Sequence, residues 1–148
     1  MEVIAQIGQN KPLMCALLSW LAAQVIKTVI HLLVERKLEW DRLVGMGGMP
    51  SSHTAFVFSL CLMMGIQQGF QSPAFAISFA LAAVVIYDAM GVRRETGKQG
   101  ALLNRIVREV LIEGKRITED ELKELVGHTP LEVLGGLVLA VIMVIVMA

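Results

Sequence analysis

Two of the three histidines in this chain stand at the same kind of place, behind a loop bearing glycine and proline and ahead of an apolar helix. The first lies in Gly47-Gly48-Met49-Pro50-Ser51-Ser52-His53-Thr54, with an apolar helix predicted over 55–65. Proline suits the first helical position, where its missing N–H costs nothing. Ser51, Ser52 and His53 then fall in the first turn. Backbone N–H groups and the positive end of the helix dipole collect there and make an anion site. A histidine in that turn can pass a proton to an oxyanion or a leaving group. The second lies in Gly127-His128-Thr129-Pro130-Leu131-Glu132, ahead of an apolar stretch over 131–147. Simple capping competes with chemistry at both places. Thr129 and Glu132 have the spacing of a capping box, which satisfies backbone N–H groups and need do nothing more.

The cations fit the same chemistry. Gln24, Lys27 and His31 are spaced by three and four, so they share one face of a helix inside an apolar run. A cation deep in a membrane span costs roughly 2.5–3.5 kcal/mol on insertion scales, and such residues usually face a protein interior or a water-filled cavity. The competing reading is that Lys27 snorkels to the headgroups and His31 packs in the bundle. A third polar cluster, Asp88-Ala89-Met90-Gly91-Val92-Arg93-Arg94, closes another apolar run.

The elements that must position these groups are membrane helices. The 148 residues suffice for one domain, read here as a single membrane domain over 1–148. They are 55% hydrophobic and 18% charged, with a mean hydropathy of +0.66, too apolar for an ordinary soluble domain. Apolar runs predict an all-α bundle of about four spans, over 12–34, 52–66, 73–90 and 131–147. The second is short and begins inside the protein. Residues 1–11 read as a short interfacial lead. Residues 95–127 are charged and read as an amphipathic insertion of two surface helices. Leu102, Leu103, Ile106, Val107, Val110 and Leu111 form an apolar stripe, and Thr118-x-x-Glu121 is a second capping box. Gly135-Gly136 permits close helix packing, within the subunit or across a homodimer.

Four spans put residues 35–51 and 91–128 on one side. Apart from Lys11, and Lys27 within its span, every Lys and Arg falls there, so the positive-inside rule makes that side cytoplasmic, in a cell membrane. The formal net charge of zero argues against nucleic acid as a partner. Cys15 and Cys61 sit inside apolar runs and read as small buried hydrophobes, not as a disulfide or a metal site. Acidic Glu2, with no basic residue before Lys11, does not suggest a cleaved signal peptide.

The same topology brings Lys27, Ser51, Ser52, His53, Asp88, Arg93, Arg94, His128 and Glu132 to one end of the bundle. Two histidines, several cations and two helix N-termini at one membrane face suit the phosphate of a lipid. Arginines and N–H groups would hold the nonbridging oxygens, one histidine could attack phosphorus, and the other could protonate the departing alkoxide. No Walker-type loop is present, and no acidic cluster obviously suits Mg²⁺.

At these residues the chain resembles the divergent membrane branch of the type 2 phosphatidic acid phosphatase superfamily, the group related to acid phosphatases and vanadium-dependent haloperoxidases. Gly47-Gly48-Met49-Pro50-Ser51-Ser52-His53, Asp88 to Arg94, and Gly127 to Glu132 carry the resemblance, in order and over nearly the whole chain. It implies that His128 is the nucleophile and takes a phosphohistidine, that Glu132 orients it and that His53 is the general acid. It further implies that Lys27, Ser52, Arg93 and Arg94 bind phosphate, with Ser51 beside them, and that no metal or other cofactor is needed. The chain departs from the superfamily pattern at three points. Ser52 stands where glycine is usual. Arg36, the candidate for the first-motif arginine, follows Lys27 by nine residues where the superfamily spacing is seven, which turns it to the opposite face of an unbroken helix. The segment between Arg94 and His128 is 33 residues where five are usual, as though 95–127 split the third motif. Asp88 has no counterpart in the superfamily, and would pair with Arg93 or Lys27.

The expectation is therefore an integral-membrane, metal-independent phosphatase acting on a lipid phosphate or diphosphate. A non-catalytic protein that binds or flips a phospholipid headgroup needs the cations but not both histidines. Peroxidase chemistry on bound vanadate shares the site logic, but a short membrane bundle suits a lipid better. A purely structural reading requires three unrelated cap-like coincidences at one face.

Overall fold

The computed structural model describes residues 2–36, 48–91, 99, 100, 103 and 129–148. Five helices account for most of them: α1 (Glu2–Gln9), α2 (Lys11–Glu35), α3 (Ser52–Gln68), α4 (Pro73–Met90) and α5 (Pro130–Met147). Among the described residues there is no strand. The expected surface helices over 95–127 lie outside the described residues except at 99, 100 and 103, which are helical.

Local chemistry sets the helix starts. Asn10, Ser51, Ser72 and Thr129 each cap a helix by accepting an amide from the third residue onward, and a proline sits in the first two positions of α2, α4 and α5. The exception corrects an expectation. Pro50 is not the first residue of α3. Ser51 caps the helix, and Pro50 precedes it in a cis peptide with Met49.

Packing around α3 organises the bundle. Of the described helices it buries the most, including Thr54, Ala55, Ser59, Cys61 and Met63, and it lies against α2, α4 and α5. Cys15 of α2, Met63 of α3 and Val144 of α5 cluster at one end. At the other end Gly48 lies on Lys27, and the Ser51 N–H donates to the Glu132 carbonyl at 2.9 Å. The start of α2 is thus level with the ends of α3 and α5, which run parallel and in register, twelve residues separating the contacts in each. On its other side α3 packs Val57 and Cys61 against Ala82 of α4, with Phe56, Phe75, Val85 and Ile86 around them.

Small residues make the α3–α5 contact close. A Cβ on Gly136 would stand 2.6 Å from the Ser51 carbonyl oxygen and 2.8 Å from Thr54 Cβ. Buried hydroxyls deeper in the bundle are satisfied within their own helices: Ser19 donates to the Cys15 carbonyl at 2.7 Å and Ser59 to that of Phe56 at 3.1 Å. The outer faces are apolar and open, Ile145 and Val146 of α5 each being 74% exposed. Without a bilayer such surface would be costly in water.

Three helices are long and apolar enough to cross a membrane, at Lys11–Val34, Pro73–Met90 and Pro130–Met147. The fourth member of the bundle, α3, has 17 residues, about 25 Å, and is wrapped by those three. The result is the expected helical membrane bundle. α1 buries nothing and exposes Val3, Ile4 and Ile7, which share one face at three- and four-residue spacing.

Gly136→Val is expected to destabilise this bundle, because the added side chain meets the backbone of α3. Overpacking of this kind costs about 1–3 kcal/mol. Thermal unfolding in detergent should show a clearly lowered midpoint, and an unchanged one would contradict the backbone contact.

Candidate functional site

The site is sunk in the bundle. Lys27 lies eight residues before the end of α2, about 12 Å below it, and is 5% exposed. The loop before α3 folds over it. Gly48 has φ +85°, and a Cβ at that position would be 3.3 Å from Lys27 Cγ and 3.4 Å from Cδ. Only glycine takes that backbone conformation readily and leaves room for the lysine stem. Gln24, one turn deeper on the same face, is 4% exposed, and its Oε1 has no hydrogen-bond partner among the described residues. His31, one turn nearer the helix end, is half-buried, with Nε2 shut off from solvent.

The N-terminus of α3 meets this face. Ser51 is fully buried. Its amide goes to the Glu132 carbonyl, and its Oγ accepts from the Thr54 N–H at 3.3 Å and the Thr54 hydroxyl at 3.0 Å. What Ser51 can still offer an anion is its own O–H. Ser52 is buried, and His53 is half-buried with Nδ1 away from solvent. Amides in a first turn have no carbonyl ahead of them within their helix, so they point at whatever lies beyond it.

The N-terminus of α5 stands beside that of α3. Thr129 and Glu132 form the expected capping box. The Glu132 amide donates to Thr129 Oγ1 at 3.3 Å, and the Thr129 amide donates to Glu132 Oε2 at 3.2 Å. That second amide is the one joining Thr129 to His128, so the carboxylate lies against the peptide that follows the histidine. Asp88 is half-buried in the last turn of α4, at the same end of the bundle.

Two parallel helices therefore present their positive ends side by side, tied by one hydrogen bond, near a buried lysine. At α5 the Glu132 carboxylate already meets part of that positive end, so the charge offered to an anion comes chiefly from the start of α3 and from Lys27. The arrangement can bind an anion, and an imidazole is available to move a proton.

The structure brings together Lys27, Ser51, Ser52 and Glu132 at this end, with His31 and His53 on the same elements and Asp88 in the last turn of α4. It does not bring Arg36. The helix runs unbroken from Lys27 to Glu35, nine residues at about 100° each turn Arg36 to the far side, and there it is exposed with φ 54°. His128, Arg93 and Arg94 lie outside the described residues. Three contributors escape a reading of sequence alone. Thr54 braces the cap of α3, with no signal beyond its place in the first turn. Gly48 covers Lys27, and the glycine run before Pro50 was the only hint of it. Gly136 lets α5 approach, and its signal, the Gly135-Gly136 pair, did not say against what.

Comparison with known proteins gives the same frame. The uncharacterized membrane protein YuiD of Bacillus subtilis (strain 168) is 36% identical over 149 residues, covering 94% of each chain. No solved structure matches. Residues 8–143 match the family described as Divergent PAP2, a span that takes in every candidate residue above, and the chain belongs to that family.

Proposed function

We propose that this chain is an integral-membrane phosphatase that hydrolyses a lipid phosphate or diphosphate through a phosphohistidine. The observation that carries this reading is the pairing of two parallel helix N-termini, at the Ser51–Glu132 hydrogen bond, near buried Lys27. Membership of a phosphatase-related family supports it.

In this reading an imidazole nitrogen of His128 attacks the terminal phosphorus, and its bond to the leaving oxygen breaks, the lipid's own oxygen in a monophosphate and the bridging one in a diphosphate. His53 gives its proton to that departing oxygen. A water then attacks the phosphohistidine, His53 takes the water's proton, and inorganic phosphate leaves with His128 restored. Lys27, Ser52, Arg93 and Arg94 hold the nonbridging oxygens and meet the charge that develops on them. Glu132 orients His128 through its position on the following peptide. The excess of Lys and Arg at this end of the sequence supports a site on the cytoplasmic side of a cell membrane. The purified protein is expected to release inorganic phosphate from phosphatidate or a polyprenyl diphosphate in the presence of a chelator. Absence of release from every lipid phosphate tried would defeat the proposal.

One observation favours a second reading, a protein that binds or flips a phospholipid headgroup without turnover. The Glu132 carboxylate is already engaged as a cap, which accounts for it without any histidine to orient. Saturable binding of phosphatidate with no phosphate released would select this alternative.

A further inference from the structure

Beside the anion site a trough of about 400 Å³ runs between α2 and α5, within the size range of ligand pockets. Its walls include Ile26 and Ile30 from α2, Leu134, Val138 and Ile142 from α5, and Pro50 from the segment before α3. Every residue lining it is apolar, so no side chain in it can hydrogen-bond a sugar, a peptide or a headgroup. We propose that this trough holds one hydrocarbon chain of the lipid whose phosphate occupies the site at Lys27 and the two helix N-termini. The inference rests on the phosphate-site reading above and adds what the rest of the substrate must be.

Continuity carries it. The three-residue segment 48–50 serves both places: Gly48 covers the Lys27 stem, while Met49 and Pro50 line the trough and lie over Gly135. Pro50 is followed directly by Ser51, the α3 cap. A lipid with its phosphate at the cap would therefore pass its chain over Pro50 into the trough, along α5 to Ile142. From Leu131 to Ile142 the trough follows that helix for about 16 Å.

The shape argues against a second helix as the occupant. Close helix approach in a membrane uses small residues repeated at four-residue spacing. On this face Gly135 has Leu131 and Leu139 four residues to either side, and Met49 Cε and Pro50 Cβ would stand 3.1 and 3.4 Å from a Cβ at 135. Gly136 is spent inside the subunit against α3. The hollow follows α5 for three turns between apolar walls, which fits a chain.

The test uses straight-chain alkyl phosphates from butyl to hexadecyl and two filling variants on facing helices, Val138→Trp and Ile30→Trp. Val138 is 54% exposed, so a larger side chain there can enter the trough without invading the core. Wild-type kcat/KM should rise with chain length. In either variant the hexadecyl-to-butyl ratio should fall at least about tenfold, chiefly through KM, since each methylene denied burial weakens binding. An unchanged ratio in both variants, or no dependence on chain length in the wild type, would overturn the proposal. A readout independent of turnover is photolabelling with a hexadecyl phosphate carrying a diazirine at its chain end. Labels on 134–142 that dodecyl phosphate displaces and dodecylphosphocholine does not would support the trough even in a protein that releases no phosphate. Labels insensitive to dodecyl phosphate would mark bulk lipid and overturn it.

Discussion

His128→Ala is expected to lower phosphate release from a lipid phosphate by at least about 10³-fold, the scale on which removing a covalent nucleophile acts. The reason is the bond that must form. With no imidazole at 128 the phosphoryl group has nothing to rest on, and direct attack by water lacks the positioned nucleophile. The variant should remain folded. The α5 cap is built by Thr129 and Glu132, and the register of α5 on α3 by the Glu132 carbonyl and Gly136, none of which needs the histidine side chain. Matching thermal midpoints with lost turnover would therefore locate the effect in the chemistry. Glu132→Gln supplies the complementary measurement. Glutamine can still reach back to the cap amide, so the helix start survives, but the negative charge held against the Thr129 amide is gone. A clear loss of kcat with the fold intact would give Glu132 a part beyond capping. Equal release by wild type and His128→Ala would remove the phosphohistidine scheme.

Much of the bundle was legible because membrane helices announce themselves by apolar length and by their caps. The runs at 12–34, 73–90 and 131–147 became helices within a residue or two of expectation, each starting where a polar cap and a proline coincide. The shared face of Gln24, Lys27 and His31 followed from spacing alone. Pro50 was misplaced because two rules competed: proline favours the first helical position, but Ser51 could cap, and the capping serine prevailed. The rank of α3 was hidden for a different reason. In sequence it looks like a shorter version of its neighbours, and only packing reveals that the others enclose it. The parallel pairing of α3 with α5 is likewise tertiary, set by where Gly136 meets Ser51 and Thr54. The trough could not be read either, since an isoleucine that lines it and one that faces lipid are the same letter at the same spacing.

Lys27→Met is expected to weaken binding of phosphate or orthovanadate, and to raise KM for a lipid phosphate, by roughly 10- to 100-fold, the range for losing a hydrogen bond to a charged group. The contrast with shape is what makes the substitution informative. Methionine keeps an unbranched stem, so the surface against which Gly48 lies at Cγ is retained and the loop over 48–50 has no cause to move. What disappears is the ammonium. A parallel measurement on Arg36→Met should show little change, since Arg36 is exposed on the far face of α2 and its charge is screened by solvent. Both variants remove one positive charge from the same helix, nine residues apart, so a general electrostatic attraction to the membrane face would weaken them alike. A large effect at 27 and a negligible one at 36 requires that the anion sit within the bundle, at the depth where the two helix N-termini meet. Equal effects would move the anion out to the surface, and the paired N-termini would then be packing alone.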